Sequence, residues 1–260
     1  ILKTLAAEYW QYVKSGAEDY ASEHSDKVTV EVKGPSSETA FDEMQNMIET
    51  DLSSGTYDGI VISPLQSDTA AQLVSGTKLP IVAIDTNFDA PEAVEAAKKA
   101  GWDEVKCIEI AGVQGDETCA ARMKGYEEGV NEAGGEFLTS EVQYADATAD
   151  RATTAMEAIM QTHPEGIAII CAHNDDTAMA AARAAKGHEA FKNTIFLGFN
   201  GDRAACEAIL NGQMTMSVAQ MAYEMGYKAV ETMVQALDGE TVDEFVDSGS
   251  DVVTPDNAQE

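Results

Sequence analysis

Ser63, Asp85, Asn174, Asn200 and Gln220 each stand just past a short apolar run, and Lys3 precedes the aromatic pair Tyr9-Trp10. Carboxylate, amide, hydroxyl and ammonium groups with adjacent aromatics form a set suited to a polyol. Sugar hydroxyls both donate and accept hydrogen bonds, while the C–H face of a sugar ring packs on an aromatic plane. Each residue taken singly also has a structural explanation. Asn174-Asp175 before a helical stretch is a good N-cap whatever it binds. Asn200-Gly201-Asp202 is equally a turn plus cap, Asp85-Thr86-Asn87 equally a loop, and Trp10 equally a core residue.

Arg122 and Arg151 fall near the starts of helical stretches, where a cation opposes the helix dipole at a cost of a few tenths of about 1 kcal/mol. Such placements point to guanidinium forks kept for bidentate hydrogen bonds to hydroxyls or a carboxylate. An ion pair with a neighbouring acid such as Asp150 is the alternative. Catalytic patterns are missing: there is no GxGxxG, phosphate-binding loop, GxSxG or HExxH. His24, His163, His173 and His188 are scattered, and His173 alone falls at a strand end, beside Asn174. The four cysteines, Cys107, Cys119, Cys171 and Cys206, form no CxxC and have no histidine at metal-ligand spacing; they read as core residues. Neither a metal, a cofactor nor an enzymatic reaction is expected.

The elements that must position these residues alternate between short β-branched runs and helix-period stretches. Strands are predicted at 28–32, 59–63, 80–85, 105–110, 137–143, 166–171, 195–199 and 214–218. Helices are predicted near 6–23, 39–53, 69–76, 93–100, 117–133, 150–162, 175–186, 202–210 and 221–238. Runs such as IVIS, IVAID, IAIICA and IFLGF are apolar without alternation, as strands buried on both faces are. The βαβ order predicts an α/β protein of two doubly wound parallel-sheet lobes with about five strands each. Ligands of such sheets bind beyond the strands' carboxyl ends.

A chain of 260 residues is comfortable for two such lobes. Its net charge of −30, from 46 acids against 16 bases, opposes nucleic-acid partners and anionic membrane surfaces. No apolar stretch approaches the roughly 20 residues that a membrane helix needs. The chain opens on Ile1-Leu2-Lys3 without a methionine, which suggests a processed or trimmed product.

The stretches LKTLAAEYWQYVKSGAEDYA, GPSSETAFDEMQNMIE, YDGIVISPLQSD, AARMKGYEEGV, IAIICAHNDDTAMAAARAA, FLGFNGD and GQMTMSVAQ resemble the type I periplasmic sugar-binding proteins of ATP-driven importers, closest to the ribose- and allose-binding branch. The resemblance covers nearly the whole chain. It implies two lobes joined by a three-crossing hinge, residues 1–92 plus about 222–247 forming one and about 93–221 plus 248–260 the other. It implies a sugar or polyol trapped between them, delivery to a membrane permease, a monomer, and an extracytoplasmic place in the periplasm or as a cell-surface lipoprotein. By motif, the implied ligand-binding residues are Lys3, Tyr9, Trp10, Asp85, Arg122, Arg151, Asn174, Asn200 and Gln220.

Several positions depart from the family pattern. Ala7-Glu8 stands where Asn-Pro is usual, Ala149 replaces an aromatic before Asp150-Arg151, and Asn200 replaces an aspartate. The chain begins inside the first expected strand, and Asp85 to Val105 is brief for the strand and first crossing expected there, so either the segment near Glu92-Ala93 is incomplete or the hinge is unusual. Lys3, Arg122 and Arg151 face only Asp85 among the implied positions, a formal surplus of two positive charges. Glu8 or Asp150 compensates, or the ligand is itself acidic, as a sugar acid would be. A different small solute, chemosensing, or the ligand-sensing core of a lactose-repressor-like regulator are the alternative readings.

Overall fold

The computed structural model describes residues 1–84 and 91–259. In chain order the elements are α1 (Glu8–Glu23), α2 (Phe41–Ser54), β1 (Ile60–Ile62), α3 (Ser67–Val74), β2 (Ile81–Ala83), α4 (Pro91–Lys99), β3 (Lys106–Ala111), α5 (Glu117–Glu132), β4 (Glu136–Phe137), β5 (Gln143–Tyr144), α6 (Ala149–Thr162), β6 (Ile169–Ala172), α7 (Asp175–Ala185), β7 (Ile195–Asn200), α8 (Arg203–Leu210), β8 (Met216–Gln220), α9 (Ala222–Leu237) and β9 (Ser250–Val253). All nine helical stretches expected from the apolar periodicity are helices. The chain divides into two compact units, Ile1–Thr86 with Met221–Gly249 and Asn87–Gln220 with Ser250–Glu260, so the division cuts it at three places.

In the first unit, β1 and β2 pair in parallel. Ile60 and Ile62 pack with Met44, Ile48 and Ala70 of α2 and α3, while α1 and α9 share a second cluster through Val13, Tyr9, Ala222 and Met225. The strand expected at 28–32 is not one. Val28 N–H bonds back to the His24 carbonyl at 3.0 Å, and Leu2 N–H bonds to the carbonyl of Lys33, just past the run, at 2.9 Å, but residues 28–32 belong to no ladder among the described residues. Beside it lies a cavity of about 620 Å³ lined by Val28, Val30 and Val32 on one side and Ile60 and Val61 on another. Without a ladder partner, a β-branched run has the propensity but not the hydrogen bonds of a strand.

The second unit holds a seven-stranded sheet in the order β4-β3-β6-β7-β8-β9, with β5 also beside β3. Every pair is parallel except β8 with β9. Side chains alternate across it. Ile108, Ile110, Ile170 and Phe196 face α6, α7 and α8; Cys107, Ile169, Cys171, Leu197 and Phe199 face α4 and α5. Both faces are therefore covered, which is why these strands read as unbroken apolar runs. The strand expected at 137–143 is split by a 3₁₀ turn at Thr139–Glu141, and β9 runs antiparallel along an edge where no strand was expected.

Two glycines set the approach of α1 to α9. A Cβ on Gly226 would stand 1.9 Å from the Val13 carbonyl oxygen, and one on Gly16 2.0 Å from that of Tyr223. Both obstacles are helix backbone, so neither can rotate away. Gly226→Ala is expected to destabilise the protein by about 2–4 kcal/mol. Gly76→Ala, where a Cβ meets nothing within 4 Å, should stay within about 0.5 kcal/mol. Urea unfolding of the two variants checks the contrast; equal midpoints would remove the close-packing argument.

Candidate functional site

Parallel pairing puts the carboxyl ends of β3, β6, β7 and β8 on one edge of the second unit, followed by the amino ends of α5, α7 and α8. Arg122, Arg151, Asn174, Asn200 and Gln220 all come to this edge, each held by a short polar contact, and Asn200 and Gln220 hold each other.

Arg122, on the second turn of α5, is buried and donates from Nη1 to the His173 carbonyl at 2.8 Å. Its guanidinium lies 4.1 Å from the centroid of the Phe199 ring, a cation–π contact that holds the plane while leaving the edge of the fork to other partners. The Tyr126 hydroxyl donates to the Ala172 carbonyl at 3.1 Å, so α5 is tied to the end of β6 at two successive residues. The His173 side chain is buried with its Nε2 3.5 Å from the same Arg122 Nη1; the shorter contact is to the carbonyl, which the identity of the residue does not reveal.

Asn174 is the N-cap of α7. Its Oδ1 accepts from Thr177 N–H at 2.9 Å, and the Thr177 hydroxyl accepts from Asn174 N–H, forming a capping box. The structural explanation is thus realised, and it leaves Nδ2, which lies 3.4 Å from the Ala147 carbonyl. Asp146 and Ala147 have φ of 47° and 57°, the left-handed region that non-glycine residues seldom enter. Asp146 is also the partner of Arg151, 2.6 Å from Nη1, with the arginine side chain 65% exposed. The alternative reading of Arg151, an ion pair with a neighbouring acid, is thus realised, with Asp146 in place of Asp150. Backbone curvature brings Asp146 round to the guanidinium while Asp150 is exposed.

Asn200 ends β7 with φ 132°, another conformation that side chains rarely adopt. Its Oδ1 accepts from Gln220 Nε2 at 3.0 Å across the β7–β8 ladder, in which Asn200 stands opposite Ala219. Gly201 follows with φ 75°, and a Cβ there would lie 2.5 Å from that of Ala219. Beneath the turn Asp175 is fully buried. Its carboxylate accepts from Asp202 N–H at 2.7 Å and from the Ser217 hydroxyl at 2.6 Å.

In the first unit Lys3, Tyr9 and Trp10 are all buried. The Tyr9 and Trp10 rings meet edge to face at 4.9 Å, and the Trp10 indole N–H donates to Glu38 at 3.1 Å. Trp10 is therefore a packed member of the α1–α9 cluster, as its alternative reading held. Glu8 is exposed and accepts from Tyr12 four residues on, 2.9 Å. Asp85 lies outside the described residues. Ser63 is buried at the end of β1. The 620 Å³ cavity is lined by none of these expected residues; it belongs to the interior of the first unit.

Glu109, Phe199, Asp146, Asp175, Ser217 and Glu38 escaped the sequence reading. Phe199 and Glu109 sit inside apolar strands and carry no strand-end signal, and Asp175 was absorbed into a helix start. Glu109 is fully buried. Burial pushes its carboxyl from an ordinary 4.5 up to about 8, against the pull of the Arg122 guanidinium. Burial likewise drives the Cys119 thiol up to about 12, and the four cysteines are free thiols. Among the described residues no cluster of His, Cys, Asp or Glu has metal-binding geometry, and no helix is long and apolar enough to cross a membrane.

A family described as the periplasmic binding protein domain matches residues 74–241, and the chain belongs to it. Its fold is the type I form of that family. The ribose import binding protein of Escherichia coli K12 is 27% identical over 203 residues, covering 70% of this chain and 67% of that protein. The D-allose-binding periplasmic protein of the same organism is 29% identical over 262 residues, covering 91% and 83%. A solved ABC-transporter solute-binding protein from Agrobacterium vitis with bound D-fucose superposes with a TM-score of 0.83 at 25% identity, covering 98% of this chain and 94% of that one. The family and these relatives are binding proteins rather than enzymes.

Glu109 yields a test. Between pH 4.5 and about 8 the folded chain keeps a proton that the unfolded chain has lost. Stability therefore falls as pH rises through that window and levels off above it. Glu109→Gln removes this contribution. Urea unfolding at several pH values should show the stability of the native protein declining relative to the variant by on the order of 3 kcal/mol across the window. Parallel curves would mean that the carboxyl titrates normally.

Proposed function

We propose that the chain is an extracytoplasmic solute-binding protein that captures a monosaccharide or related polyol and delivers it to an ABC importer. The observation that carries this reading is the polar edge of the second unit. Arg122, Asn174, Asn200 and Gln220 gather there, Gln220 bonded directly to Asn200, Arg122 to the His173 carbonyl and Asn174 to the Ala147 carbonyl, on a fold whose relatives carry the names of ribose- and allose-binding proteins. Amides and a stacked guanidinium offer donors and acceptors in the mixture that vicinal hydroxyls require. Lys3, Tyr9 and Trp10 are the first unit's contribution in this reading, with Asp85 as the carboxylate. The lobes are those expected from the family resemblance, and the protein acts as a monomer whose ligand-bound conformation is the one the permease recognises.

Asp146 neutralises Arg151, which reduces the formal surplus among the ligand residues from two positive charges to one. Arg122 packs on the Phe199 ring, and the nearby Glu109 carboxyl, raised to about 8 by burial, keeps its proton at neutral pH and supplies no counter-charge. The smaller surplus favours a neutral sugar over a sugar acid.

Thermal melts against D-ribose, D-allose, D-fucose, myo-inositol and a sugar acid test the proposal. A ligand at about a thousand times its dissociation constant should stabilise the fold by about 4 kcal/mol. Arg122→Ala should weaken that ligand by about 10- to 100-fold through loss of charge-assisted hydrogen bonds. No shift with any member would sink the sugar reading, and a shift with the sugar acid alone would reverse the charge argument.

A further inference from the structure

Asp175 takes part in no expected ligand contact, yet it follows β6 and is bonded from beyond the end of β7 and from within β8. It opens α7 one residue after Asn174. One carboxylate oxygen receives the backbone N–H of Asp202, beyond the end of β7; the other receives the hydroxyl of Ser217, in β8. Ser217 is itself buried and accepts from Gly201 N–H at 3.2 Å, so the turn is held twice, once directly and once through the serine. The carboxylate needs room in the sheet: a Cβ on Gly198 would stand 2.2 Å from its Oδ1. Above these bonds Asn200 is held at φ 132° with Gln220 on its side-chain oxygen. A non-glycine residue in such a conformation costs about 1–3 kcal/mol and persists only where its surroundings enforce it.

We propose that Asp175 is a positioning residue for ligand recognition: its buried carboxylate clamps the 200–202 turn to β8 and to the start of α7, and so fixes Asn174, Asn200 and Gln220 relative to one another. The proposal rests on the reading that these three amides meet the ligand. It carries a pH dependence. Accepting two hydrogen bonds at separate oxygens suits the ionised carboxylate; protonation puts a donor on one of them, where it opposes Ser217 or Asp202 N–H. The titratable groups facing Asp175 are the Asp202 carboxylate, Cys206 of α8 and Tyr126 of α5. Burial and the nearby Asp202 charge push the Asp175 carboxyl up to about 7, with the Ser217 and Asp202 N–H bonds pulling it down. Affinity should therefore fall as the medium is acidified through neutrality.

Two measurements on the whole chain test this. The first is ligand-free: the Asp202 backbone amide, followed by NMR against pH, should titrate with a midpoint near 7. The midpoint should move upward in Ser217→Ala, which removes a hydrogen bond to the ionised form, and the titration should vanish in Asp175→Asn. The second is calorimetric affinity for whichever of D-ribose, D-allose or D-fucose binds. In the native protein affinity should weaken about 10-fold from about pH 8 to about pH 6. In Ser217→Ala that profile should move to higher pH with the amide midpoint. Asp175→Asn should bind about 10- to 100-fold more weakly with a flat profile; should it fail to fold, Ser217→Ala decides alone. An Asp202 amide indifferent to pH, or identical affinity profiles in the native protein and Ser217→Ala, would overturn the proposal. If the amide titrates as expected and no sugar binds, the clamp stands and the sugar reading is what has failed.

Discussion

Parallel strand pairing is the constraint on which the second unit depends. Parallel ladders force each strand to return through a covering helix, so every strand of β3, β6, β7 and β8 points the same way and ends on the same edge. Within the sheet, both faces are closed by helices and the side chains are apolar apart from a few buried polar groups such as Glu109 and Ser217. Most polar groups gather where the strands stop. The register then decides which of them meet: Asn200 opposite Ala219 puts its amide beside Gln220, and Ile110 opposite Ala172 puts the start of the β3–α5 connection beside His173. Arg122 reaches the His173 carbonyl because α5 begins at that same edge.

Much of this was legible in the residues, because the signals were local. Unbroken apolar runs marked the strands covered on both faces, and periodicity marked the helices to within about two residues. What escaped depends on partners distant in the chain. The run at 28–32 has every propensity of a strand and lacks a ladder. The run at 137–143 was taken as one strand, but β4 and β5 pair with the same strand at unequal spacing. Five residues of β3, from Lys106 to Ile110, match eight from Glu136 to Gln143, and the excess is taken up by the turn at Thr139–Glu141. β9 is short and polar at its start, as an edge strand with one ladder can be.

The polar edge shows the same division. Reading the residue after each strand found Asn174, Asn200 and Gln220, which share an edge by topology. It could not find what holds them. Phe199 lies one residue before Asn200 in an apolar run, and nothing in its type says that a guanidinium will lie against it. Arg151 pairs with a neighbouring acid, as its alternative reading held, but which acid depends on the backbone: the left-handed turn at Asp146 and Ala147 brings Asp146 to the guanidinium in place of Asp150.

Glu109 and Asp175 are both fully buried with carboxyls raised toward neutrality, a pattern met at catalytic sites and in structural networks alike. Placement separates the two. Both oxygens of Asp175 are committed to hydrogen bonds from the protein itself, one of them from backbone, so a substrate has no oxygen to reach. Its raised affinity for a proton comes from burial first and the neighbouring charge of Asp202 second, and the hydrogen bonds that hold the turn oppose it. Such a group suits a receptor whose task is to present rigid amides to neutral hydroxyls: preorganisation lowers the cost of binding, and charge adjustment stays beneath the surface that the ligand meets.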